Sequence, residues 1–126
     1  MAKIEARAVD SGLVAIRGED ETRAIQWWKD RFALLAGIQT DAARAGALVP
    51  QFRELASFPE ADRRRLTRAR MQAFVQVPSD QRQRILAARQ LANAIDPALL
   101  ASDDAVVQQL IPEVPGAEEI QRQLGS

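Results

Sequence analysis

From Phe58 to Asp96 the chain repeats itself, and this repeat constrains the fold more than any other feature. The segment FPEADRRRLTRARMQAFVQ runs directly into VPSDQRQRILAARQLANAI. Set end on end, the two place Pro59 over Pro78, Arg63 over Arg82, Arg65 over Arg84, Ala69 over Ala88, Arg70 over Arg89 and Ala73 over Ala92, and Pro97 keeps the step. Proline has a fixed φ and no N–H, which suits the first position of a helix and disrupts its interior. Each proline here precedes a helix-length run of good helix formers. The repeat therefore predicts a tandem of proline-started helices over 58–96, joined by a very short turn as an antiparallel αα-hairpin. Leu66, Ala69, Ala73 and Val77 form one apolar stripe, and Ile85, Ala88, Ala92 and Ile95 form its counterpart. Small residues in both allow close approach of helices.

The rest of the chain fits around such a hairpin. At 126 residues, 47% of them hydrophobic and 27% charged, the sequence can bury a real core as a single domain spanning 1–126 and is not of disordered composition. Aromatics are only 5%, so that core is built mostly from Leu, Ile, Val and Ala. The run GEDETRAIQWWKDRFALLAGI has an acidic start that suits a helix N-terminus, with Ile25, Trp28, Phe32 and Leu35 on one face. Thr40 suits the cap of a second, alanine-rich helix. Pro50 is expected to interrupt that helix, leaving Gln51 to Ala56 as a short one of its own. Asp96-Pro97 starts a segment to Ile111 that reads as one bent helix or two short ones.

At the chain ends, Asp10-Ser11-Gly12 between KIEARAV and LVAIR suits a three-residue β-hairpin loop, making 1–17 a hairpin arm or else a first helical turn. Residues 112–126 form an acidic arm or tail, with a last helical turn from Ala117 to Leu124. The expected fold class is all-α, a small bundle of about five short helices.

Chemistry is narrowed by what is missing. There is no cysteine and no histidine, which removes disulfides, thiolate nucleophiles, the usual zinc ligands and the usual general base. No serine lies in a nucleophile elbow or an S-x-x-K pattern, and no phosphate-binding or calcium-binding loop is present. Asp103 and Asp104 are adjacent, so on a helix their carboxylates diverge by about 100° and do not converge on one substrate. The sequence predicts a protein that is not an enzyme and needs no cofactor or metal. No secretory leader and no long apolar span is seen, so a cytoplasmic protein without a membrane role is expected. Arginine far outnumbers lysine, a mark of a GC-rich coding sequence and in keeping with a bacterial source.

Charge is balanced overall but unevenly placed. Residues 59–90 carry eight basic and three acidic side chains, and 91–126 carry one and six, so these blocks stand at +5 and −5. The acidic block then docks on the repeat or the two ends meet different partners. Arg70 and Arg89 lie close to the apolar arc, where an unpaired guanidinium is costly, which predicts a carboxylate or a set of carbonyls beside each; Asp103 and Asp104, with Asp96 and Glu113, are the candidate ion-pair partners, from the same chain or a neighbour.

Two surfaces are candidates for binding. Arg64, Arg65 and Arg68 share the polar side of the helix over 62–70 and form a candidate polyanion patch, smaller than a phosphate-binding face usually needs. Trp27, about 100° from its helix's apolar face and flanked by Arg23 and Arg31, is a boundary residue covered by arginine stems or an interface anchor. The function expected from these features is a non-catalytic interaction or adaptor protein whose partner is another protein or a second copy of itself, as a homo-oligomer. The alternative is a nucleic-acid-binding accessory protein using 62–70. Proline opening a helix with arginine four residues on, twice in tandem, resembles the Pro-Glu-Gln-Arg helix starts of helical-hairpin proteins of the bacterial periplasm. That motif is generic helix-start chemistry, and no residue role is carried across.

Overall fold

The computed structural model describes Leu13 and residues 16–125, which form six α-helices and a 3₁₀ turn with no strand among them. The helices are α1 (Glu21–Ala36), α2 (Asp41–Ala56), α3 (Glu60–Gln76), α4 (Ser79–Ile95), α5 (Pro97–Leu110) and α6 (Ala117–Gly125), with the 3₁₀ turn at Ile111–Glu113. The class is all-α, with one helix more than expected. The hairpin read over 1–17 falls outside the described residues except for Leu13, Ile16 and Arg17. Among the described residues no helix is long and apolar enough to cross a membrane.

Helix starts follow local chemistry. Side chains of Asp20, Thr40 and Asp96 accept from the backbone N–H groups of Arg23, Ala43 and Leu99, satisfying donors that have no partner within α1, α2 and α5. Pro59 and Pro78 sit one residue earlier than predicted, at the N-cap, and their carbonyls accept from Arg63 and Arg82 at 2.9 and 3.1 Å. Of the three repeat prolines, Pro97 alone occupies the first helical turn.

The expected break at Pro50 is corrected, because α2 runs unbroken through it. An interior proline costs about 3 kcal/mol. Against that, Leu48, Val49, Phe52 and Leu55 are all buried, and each such side chain contributes about 1.5–3 kcal/mol. Packing outweighs propensity here. The segment after Asp96 is a single helix, and the last turn proposed from Ala117 is a nine-residue helix.

The hairpin over 58–96 is also corrected. α3 and α4 are joined by a very short turn, yet they make little contact with each other; the most extensive packing joins α1 to α3 and α2 to α4. Size complementarity explains the choice. α1 presents Trp28 and Phe32, whose ring centroids are 5.8 Å apart, and such a bulky face suits the alanine stripe of α3 better than a second alanine stripe does. Phe32 also meets Phe74 of α3 edge-on at 5.6 Å. α2 in turn offers Leu48, Phe52 and Leu55 to the helix that carries Ala88 and Ala92. Ile95, assigned to the α4 stripe, is 57% exposed, since that helix ends beside it at Asp96.

Among the described residues two apolar cores result. The main one joins Leu13, α1, α2, α3, α4 and Leu100; the second joins Met71, Val106, Leu110, Val114 and Ala117. Helix α3 contributes to both. The chain turns into α6 at Gly116, where φ is +87° and a Cβ would lie 2.9 Å from Val75 Cγ1. Both facts require glycine at a point where backbone passes close to α3.

Candidate functional site

Where the two cores meet, the helices leave a partly enclosed groove of about 290 Å³. Each wall is a pair or series of residues about one helical turn apart. Trp28 and Phe32 come from α1, Leu48 and Phe52 from α2, Phe74 and its neighbours Arg70, Met71 and Val75 from α3. Ile85, Leu86 and Arg89 come from α4, and Asp104, Val107, Gln108 and Ile111 from α5 and the turn after it. Ala117, Ile120 and Gln121 of α6 close one side. Gln121 Nε2 donates to Gln108 Oε1 at 2.9 Å, linking α6 to α5 beside the groove. The lining is mainly apolar with a few polar groups, the usual make-up of a small-molecule site, and the volume lies at the small end of such sites.

One charged cluster is built into the wall. Arg70 grips Asp103 with both outer nitrogens, at 2.8 Å to Oδ1 and 2.7 Å to Oδ2, and Arg89 Nη1 donates to Oδ2 at 3.0 Å. Both guanidiniums lie against the Phe52 ring, 4.8 and 5.4 Å from its centroid. The Arg70 and Asp103 side chains are only 7% and 8% exposed, whereas that of Arg89 is 25% exposed. Burial pushes the Asp103 carboxyl up, but the charges and hydrogen bonds of Arg70 and then Arg89 outweigh it and hold the carboxyl below its ordinary value. Asp104, grouped with Asp103 in the sequence, is exposed and lies on the groove wall outside this cluster.

The other predicted residues lie elsewhere. Trp27 is partly buried, edge-on to Trp28 at 4.9 Å, with the Arg31 guanidinium 4.6 Å from its ring centroid. Burial lowers the Arg31 pKa from its ordinary value. Arg23 is exposed and pairs with Glu19 at 3.7 Å. Arg64 donates to Gln109 at 2.5 Å, and Arg68 reaches both Glu21 and Glu113, at 3.2 and 3.1 Å. Arg65 donates to the carbonyls of Arg17 and Glu19. The three arginines of the candidate polyanion patch thus each spend donors on their own chain.

Sequence reasoning missed two things. Arg44 is 3% exposed and donates to the carbonyls of Leu35 and Ile38 at the end of α1, and to Asp41. It satisfies carbonyls that a helix leaves open at its C-terminus. The groove itself was also missed, although one signal was available: α3 carries Met71, Phe74 and Val75 in addition to its alanine stripe, marking a helix buried on more than one side.

These features define an all-α bundle with an internal apolar groove. Comparison with protein-family models, with curated proteins and with solved structures finds no match to this chain.

Proposed function

We propose that this is a non-catalytic binding protein whose groove holds a small, mainly apolar molecule. The observation that carries this reading is the 290 Å³ groove, walled by all six described helices and lined mainly by apolar side chains. An enclosed, wholly apolar cavity of about 150 Å³ takes up benzene, so in volume this groove is ample for a small hydrophobe. The lack of a positioned nucleophile and base in the sequence fits a binding role better than a catalytic one. The test is titration with the neutral fluorophore N-phenyl-1-naphthylamine, alongside a variant in which Val107→Trp fills the groove. Saturable enhancement in the native chain, lost in the variant at an equal or higher melting temperature, is the expected result. No enhancement, or enhancement that survives filling, overturns the reading.

A second reading, association with another protein or a second copy, is favoured by Leu91 and Ile95. They are 41% and 57% exposed and stand one turn apart on α4. Sedimentation would show a larger species that Leu91→Glu with Ile95→Glu returns to monomer. Nucleic acid is the weaker partner on this view, since Arg64, Arg65 and Arg68 are already engaged within the chain.

A further inference from the structure

Resting on the groove reading above, we propose that the occupant is a single-chain amphiphile with a carboxylate head, its tail in the groove and its head at Arg89. The charge cluster in the wall holds two guanidiniums against one carboxylate, so it carries a net positive charge. Arg70 commits both outer nitrogens to Asp103, whereas among the described residues only Nη1 of Arg89 is engaged. A guanidinium has five N–H donors, so Arg89 keeps donors for an incoming acceptor. It is also the more accessible of the two arginines, 25% exposed against 7%.

Two contacts keep it in place before any ligand arrives. Asp103 holds one end, and the Phe52 ring lies beneath at 5.4 Å. A fixed cation beside low-dielectric walls attracts an anion more strongly than the same charge does in water. Asp104 also lies on the wall and repels a carboxylate, but it is exposed and solvent screens it, so the half-sheltered arginine prevails. At nearly twice the volume of a cavity that holds benzene, the groove accepts a tail of roughly ten carbons.

The experiment compares decanoate, decan-1-ol and decylamine on the full chain by titration calorimetry at pH 8, where the acid is ionised and the amine protonated. The expected order is decanoate tightest, by about tenfold over the alcohol, with the amine weakest. Arg89→Gln should lower decanoate to the level of the alcohol and leave the alcohol unchanged, and Arg89→Lys should restore part of the difference. Equal binding of decanoate and decanol leaves the groove reading standing and overturns the head-group assignment. Tightest binding of decylamine overturns it as well, assigning the polar end to Asp104. Binding of none of the three removes the groove reading and this inference together. Should Arg89→Gln fail to fold, the order in the unmodified chain decides the matter.

Discussion

Asp103 is the residue on which the groove's electrostatics turn. It accepts three charge-assisted hydrogen bonds from two arginines at the junction of α3, α4 and α5. Removing one partner of a buried pair costs about 3–5 kcal/mol, chiefly because the remaining charge is left uncompensated. Asp103→Asn should therefore lower the urea midpoint strongly at pH 7. Its exposed neighbour serves as the control, since Asp104→Asn should change stability by no more than about 0.5 kcal/mol. The sign of the pH effect follows from the depressed carboxyl. Its stabilisation is complete above the unfolded value of about 3.9 and is lost as pH falls from there through the lower folded value. Midpoints measured from pH 7 to pH 3 should fall in the native chain and stay flatter in Asp103→Asn. That Arg70 and Arg89 need counter-charge was legible in the sequence, from two basic side chains beside an apolar stripe. The burial of Arg44 was not, because two of its partners are backbone carbonyls that no residue type announces.

At the scale of helices, two glycines make opposite predictions. Gly46 lies exposed within α2, and an added Cβ would meet nothing within 4 Å. Gly46→Ala should raise stability by about 0.5–1 kcal/mol through reduced freedom of the unfolded chain. Gly116→Ala should lower it by about 1–2 kcal/mol from the left-handed backbone alone, with the Val75 clash added. Thermal melts of both variants, and of Gly116→Ala combined with Val75→Ala, check this: the double variant should recover the steric part only.

The proline spacing was a sound guide to where helices begin. It extends beyond the visible repeat, since the equivalent residues Arg65 and Arg84 donate to the carbonyls of Arg17 and Ala36, each 48 positions upstream. What the spacing could not supply was the packing partner. A stripe of alanines says that something comes close. It does not say whether that is the next helix or the bulky face of a helix two elements earlier.

For the whole molecule, the split in charge left open whether the acidic block docks on the repeat or meets another partner, and within the chain parts of the two blocks do meet. Glu113 of the acidic block reaches Arg68 at 3.1 Å and Arg64 at 3.7 Å, and Asp103 takes Arg70 and Arg89. The groove was not legible in the same way, because its lining is gathered from six helices, two to four residues from most of them. Deleting residues 112–126 tests the C-terminal segment. It removes the burial of Val114 and Ala117 and the exposed Glu113 pairs, of which the pairs count for at most about 1 kcal/mol each. The truncated chain should melt at a lower temperature and keep most of its helical circular dichroism. It should also be retained on heparin at low salt, since Arg64 and Arg68 lose a carboxylate, and released once salt screens charges over about 8 Å. Identical melting and no retention would mean that the segment contributes nothing to either.

The place of α3 in both cores divides the chain into a part that carries the whole main core and a part that covers one side of it. All of the main core lies at or before Leu100, whereas the second core needs Val114 and Ala117. The main core therefore keeps every residue it is built from even when α6 comes away. With α6 away, Val75 loses its contact at the Gly116 turn and the groove loses the wall that Ala117, Ile120 and Gln121 supply. A terminal helix that the main core does not need opens at a lower free energy than the core does, so amide hydrogen exchange should be faster in α6 than in α1 or α3.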